Sequence, residues 1–328
     1  MKYPQILPEN YKFACISFTR MWRDSKLSAP IDLRDGRWVL FEPPVDVDKQ
    51  WKEWLGSMQS DNIAKCNLWL WAASPSAKPD ILDKENEKLA HKVENLLGSL
   101  LLIGSLRYES AYDLTGANNR GSVDVRQIGT LVEYYPSPGD PGIMIDKAVL
   151  EQTANLSLGL ESIDVAQNSY DRLRRGFDAL DRAWKEYRID YRMHQYVRSL
   201  EALVKPEIGR TKRQFIERCQ TFAKKSNIAD QALSESYDMR SQTEHLHGWE
   251  AALKSYPSAD VKNIAELRLR QIEALTRDAY RRIVSSDDLK KIFVDDASIE
   301  KFWQEPEDVR TKRWGPGIDL GSVTHIIE

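Results

Sequence analysis

"DRLRRGFDALDRAWKEYRIDYRMHQYVRSLEALV", from Asp171 to Val204, decides how the chain is to be read. Leu173, Phe177, Leu180, Trp184, Tyr187, Tyr191 and Met193 recur at spacings near three and four, the period of a helix with one apolar face. The texture then persists. "GRTKRQFIERCQTFAKK" repeats it with Phe215, Ile216, Cys219 and Phe222, and "DQALSESYDMRSQTEHLHG" follows, with Gly248 expected as its C-cap. "DVKNIAELRLRQIEALTRDAYRRIVSS" turns Ile264, Leu267, Ile272, Leu275 and Ile283 inward on a long closing helix. Links as short as "KPEIG" imply antiparallel neighbours, so residues 161–285 are expected to form an all-α bundle. Beyond it, "DDLKKIFV" and "IEKFWQ" read as a helical extension, and "WGPGIDLGS" as an extended tail, over 286–328.

Upstream the patterns are mixed. "GRWVLFEPP" reads as a strand closed by two prolines, which cannot continue a ladder. "DVDKQWKEWLGS" is expected to be a short helix capped by Asp48, with Trp51, Trp54 and Leu55 on one face and Gly56 as its stop. "CNLWLWAA" alternates Leu68 and Leu70 with Trp69 and Trp71, the pattern of a strand covered on both faces. A helix around Asp83 to Leu102 follows, then a turn at "TGANNRGS" and a strand in "SVDVRQIGTLVEYYP". Residues 1–160 are thus expected to form an α+β domain. Burial is the expected fate of its tryptophans, and "TGANNRG" lacks the GxxxxGK[ST] pattern of a phosphate loop.

Composition narrows the class. Of 328 residues, 41% are hydrophobic and 30% charged, with a formal charge of −3, an ordinary soluble balance that argues against wholesale polyanion binding. Cys15, Cys66 and Cys219 are widely spaced, with no CxxC or Cys/His pairing, so no metal site or disulfide framework is expected and reduced thiols in the cytoplasm fit best. "MKYPQILPENYKF" shows no signal-peptide pattern, and "LLGSLLLIGSL" is too short to span a bilayer. The charge is uneven. Between Arg172 and Lys225 stand 15 Lys/Arg against 7 Asp/Glu, which fits either a solvated helix face or a surface for nucleic-acid phosphates.

"YDMRSQTEHLHG", Tyr237 to Gly248, holds an arginine and two of the five histidines. RNA cleavage without a metal needs a base for the 2′-hydroxyl, an acid for the leaving oxygen and a cation over the phosphate. Histidine titrates near neutrality and suits the proton work, while the guanidinium fork always carries charge and matches phosphate oxygens. At about 100° per residue, Arg240 and His245 lie roughly 140° apart on an ideal helix, so a symmetric dimer is one way to bring them to one phosphate. The simpler alternative stays open: Arg240 pairs with Glu244 at i,i+4, and His247 sits at a helix C-terminus favoured by the dipole.

"YDMRSQTEH" resembles the signature of HEPN domains, an Arg and a His separated by four to six residues. Its setting after "SLEALV" and "GRTKRQFIERCQTF", and before a long closing helix, is similar to the Apea-like branch over about residues 164–285. The resemblance implies a helical bundle that dimerises through the signature helices, and in many members a metal-independent endoribonuclease of toxin–antitoxin, abortive-infection or anti-phage systems. It places Arg240 and His245 as catalytic residues and Ser241 where many active members have Asn or Asp. His247 is a candidate second proton carrier, and Tyr237 a buttress or core residue. RNA, a homodimer, and an antitoxin or defence-system protein are the implied partners, with no cofactor, metal or membrane. A non-catalytic HEPN module for RNA or nucleotide binding or complex assembly is the alternative, and a small-molecule enzyme in the first half lacks any nucleophile–base pattern.

Overall fold

The computed structural model describes residues 2–166 and 168–323. They form two compact units, one of Met1–Glu133 with Gly142–Glu161, the other of Tyr134–Pro141 with Ser162–Glu328.

The first unit is built on an antiparallel sheet of β1 (Tyr11–Thr19), β2 (Ile31–Asp32), β3 (Arg37–Leu40), β4 (Cys66–Pro75), β5 (Ser110–Asn119) and β6 (Ser122–Thr130). Its spatial order is β2-β3-β4-β1-β5-β6, so the first strand lies inside the sheet. Cys15 faces Trp71 on one side of it and Leu114 on the other. Side chains alternate across a strand. Phe13, Cys15, Trp69, Trp71 and Leu114 accordingly share one face, packed with Trp51, Leu55 and Ile63 of α1 (Lys49–Ala64). Phe13 stacks on Trp71 with ring centroids 4.5 Å apart. Lys12 points to the opposite face, fully buried, and its Nζ donates to Asp83 at 2.7 Å. Asp83 caps α2 (Lys84–Ile103), which covers that face, and Asn86 donates to the Gly116 carbonyl at 3.3 Å. Helix α3 (Lys147–Val165) ends the unit and leads into the next.

Two sequence expectations need correction here. "TGANN" is the end of β5, and only Arg120 and Gly121 make the turn, both at positive φ. Glycine is required at 116 within the strand because a Cβ there would strike the Asp124 carbonyl and stand 2.8 Å from the Phe13 ring. Gly56 kinks α1 rather than ending it: at φ 79° it breaks the helix, which resumes to Ala64. The Asp48 cap is present, accepting from Trp51 N at 2.8 Å.

The second unit is helical: α4 (Asp171–Lys185), α5 (Ile189–Val204), α6 (Thr211–Cys219), α7 (Asn227–Glu244) and α8 (Val261–Ser285), followed by α9 (Asp287–Lys290), α10 (Asp296–Gln304) and α11 (Glu307–Trp314). Helices α4, α7 and α8 pack around α5. The apolar stripe from Leu173 to Met193 is broken at Glu186–Arg188, between α4 and α5, so Tyr187 turns out to solvent at 79% exposure while Trp184 and Met193 stay buried. Gly176 permits the close approach of α4 to its neighbours, since a Cβ there would overlap the Tyr280 hydroxyl and lie 2.9 Å from the Ala202 Cβ. Gly176→Ala is therefore expected to destabilise this unit by about 1–3 kcal/mol, the usual penalty of overpacking, despite alanine's better helix propensity. A denaturant melt that shows the variant as stable as the parent would refute the close packing. Among the described residues, no helix is long and apolar enough to cross a membrane.

Candidate functional site

Helix α7 starts at Ser226, whose hydroxyl accepts from Ala229 N at 3.1 Å, and ends four residues before Gly248. His245 is the C-cap. Leu246 N donates to the Thr243 carbonyl at 3.1 Å and His247 N to the Gln242 carbonyl at 2.9 Å, the paired bonds of a Schellman ending. The left-handed position that such an ending requires is filled by Leu246, at φ 58°, and not by a glycine. This corrects the expected cap at Gly248, which has an ordinary negative φ. A left-handed non-glycine residue costs about 1–2 kcal/mol, and Leu246 is also 88% exposed between two exposed histidines.

The five sequence candidates divide by environment. Tyr237 is buried, its ring 5.2 Å from Phe215, and the Arg240 guanidinium lies 5.7 Å from the same ring. Ser241 is half-buried and its carbonyl accepts the C-cap N–H of His245 at 3.2 Å. His245 and His247 are exposed beyond the last helical turn. Arg240 is half-buried and doubly countered: its Nη2 donates to Glu201 at 3.3 Å, and Nη1 pairs with Glu244 one turn on. Its Nε is buried with no hydrogen-bond partner. The structure thus brings Tyr237 and Arg240 together and leaves both histidine rings at the solvent-facing end of the helix.

Helix α5 supplies what a linear motif cannot. His194, Arg198 and Glu201 stand at i, i+4 and i+7 and so share a face; Glu201 meets the Arg240 guanidinium, and His194 lies against the Arg240 backbone. Burial raises the Glu201 carboxyl above its ordinary value, and the Arg240 guanidinium only partly offsets this. Burial, reinforced by the charges of Arg240 and Arg198, lowers the imidazole of half-buried His194, whose Nδ1 is enclosed without a partner. An imidazole whose pKa is held down by burial and by neighbouring arginines is therefore found on α5. The i, i+4, i+7 spacing of His194, Arg198 and Glu201 was visible in the sequence, but nothing there says which helix faces it.

The pairing sets what Arg240 can do. Glu244 is an i,i+4 partner with a side chain 43% exposed, and such pairs contribute about 0.3–0.5 kcal/mol. A charge-assisted hydrogen bond to a phosphate oxygen contributes about 1.5–3 kcal/mol. Of the two partners Glu244 is the more exposed, and Glu201, 18% exposed, is the more enclosed carboxylate on the guanidinium. No protein-family model, curated protein or solved structure matches this chain.

Proposed function

We propose that the protein is a metal-independent endoribonuclease of HEPN type that works as a homodimer. The observation that supports it is Arg240 on α7, oriented by half-buried Glu201 and covered on its open side by the more exposed carboxylate of Glu244, with His245 closing the same helix. In the reaction, the 2′-hydroxyl oxygen bonds to phosphorus while His245 takes its proton. The bond from phosphorus to the 5′-oxygen breaks, and that oxygen receives a proton from the second imidazole of the dimer. The ends are a 2′,3′-cyclic phosphate, open to hydrolysis to a 3′-phosphate, and a 5′-hydroxyl. Arg240 would hold the non-bridging oxygens, and its charge offsets what accumulates on them. Ser241 and His247 are auxiliary donors on this reading, and Tyr237 is the platform under the arginine. A growth-arresting or anti-phage effector, restrained by an antitoxin or defence-system protein through the sheet unit, is the role that goes with this chemistry.

A second reading, a non-catalytic module that binds RNA or nucleotides or assembles a complex, is favoured by the two carboxylates already on Arg240. One incubation separates them. Purified protein with mixed RNA in EDTA is expected to cut it and leave cyclic-phosphate ends; retention of intact RNA selects the module. Either way, the surplus of basic residues from Arg172 to Lys225 predicts RNA affinity that falls steeply with salt, by counterion release. A flat dependence of affinity between about 50 and 200 mM salt would remove that surface from the reading.

A further inference from the structure

We propose that the cleft between α4 and α5 is a phosphate-ester site gripped by Arg175 and Arg198. The cleft has a volume of about 290 Å³ and is lined on one side by Arg172, Arg175 and Ala179, on the other by Arg198, Glu201 and Ala202. Spacings of three and four put each trio on one helical face. Small side chains at Ala179 and Ala202 leave the space between the helices open above a crossing that Gly176 makes close. The arginines form its walls.

The charge balance selects the ligand. Three guanidinium groups face one carboxylate, and that carboxylate, Glu201, is engaged by Arg240. Arg172 is engaged too, by Asp296 at 2.8 Å, which also takes Lys205 at 3.2 Å. Arg175 and Arg198 are exposed and have neither an ion pair nor a hydrogen bond among the described residues. Two permanently charged forks without an ion-pair partner, Arg198 having only the longer-range field of Glu201, stand on opposite walls of one cleft and repel each other until an anion joins them. A tetrahedral phosphate presents several oxygens to two forks at once, which a single carboxylate does not. The volume falls at the low end of small-molecule sites, about 300–1,000 Å³, and suits a phosphate with part of its ester.

The phosphate can belong to a small nucleotide or to a nucleic-acid backbone, and the site stands whether or not RNA is cut. Calorimetric titration of the full chain at low salt with inorganic phosphate, a nucleoside monophosphate and a short RNA distinguishes the sources. Arg175→Gln/Arg198→Gln is expected to weaken whichever ligand binds by tenfold or more. Glu201→Gln, which removes the one acid in the lining, is expected to tighten it several-fold. Arg213→Gln, at an exposed arginine of α6 that does not line the cleft, controls for bulk charge. Competition between nucleotide and RNA places both in the cleft; binding of RNA alone assigns it a backbone phosphate. No binding by any of the three ligands, or equal losses in the double variant and the Arg213 control, overturns the proposal. Carried out on His245→Ala protein, the titration reads the cleft separately from cleavage, so failure of the nuclease reading would leave the result intact.

Discussion

Glu273→Ala is expected to lower the stability of the helical unit by about 3–5 kcal/mol, because it strands two buried arginines. Glu273 lies on α8 at 4% exposure, with Arg277 Nη2 at 2.6 Å, Arg192 Nη2 at 3.4 Å from α5, and the Ser137 hydroxyl donating to it. Arg192 also donates to the Pro136 carbonyl at 3.1 Å, so the network fastens the segment Tyr134–Pro141 to α5 and α8. Burial alone would raise the Glu273 carboxyl; Arg277 and Arg192 together overcome it and bring the value down to about 2 from the usual 4.5. The sign follows. A carboxyl held low stabilises the fold above its unfolded value, so the contribution is complete above pH 4.5 and drains away as pH falls towards about 2. For a unit of this size about 1 kcal/mol moves the melting temperature about 2–4 °C, so the loss reads as roughly 6–20 °C at pH 7 by circular dichroism. The difference between parent and Glu273→Gln should shrink on acidification through the same window. A melting temperature within about 2 °C of the parent at pH 7 would mean the network is dispensable.

The helical half was legible because its helices carry wide apolar faces and short links, features that a period of 3.6 reports directly. Asp48 was legible as a cap, since a short acidic side chain ahead of a periodic run has one common use. The central strand was not anticipated. "YKFACISFT" is buried along nearly all its length, with Lys12, Ser17 and Thr19 satisfied inside the fold, so no alternation betrays it. Gly116 and Asn118 misled in β5 for a related reason: the glycine answers a close contact, and Asn118 donates to the buried Leu7 carbonyl at 2.9 Å. At the candidate site, the Arg240–Glu244 pair was readable from its spacing. Glu201 and His194 were not, because the facing of α5 and α7 is decided by Phe215, Met239, Val197 and other core residues distributed over the bundle.

Arg240→Ala should reduce RNA cleavage by about 10²–10³-fold, the effect of removing one preorganised charge donor from a phosphoryl transition state. The same change leaves half-buried Glu201 without its guanidinium, so a loss of activity could reflect a loosened α5–α7 contact. Arg240→Gln combined with Glu201→Gln removes both charges and should melt near the parent while staying inactive. Arg240→Lys keeps the charge but not the fork, and is expected to recover binding more than turnover. Glu244→Gln tests the displacement step in the opposite direction. It removes the competitor that phosphate must replace, so RNA affinity should rise several-fold with no change in metal independence. Acidification has a parallel effect through Glu201, whose carboxyl is raised by burial and loses its charge earlier than an exposed glutamate. As pH falls through that value one of the two counter-charges on Arg240 disappears, so parent affinity should tighten more than that of Glu201→Gln. Parallel profiles for the two proteins would show that Glu201 does not gate the arginine. Full cleavage by Arg240→Ala, with His245→Ala equally active, would remove α7 from the chemistry altogether.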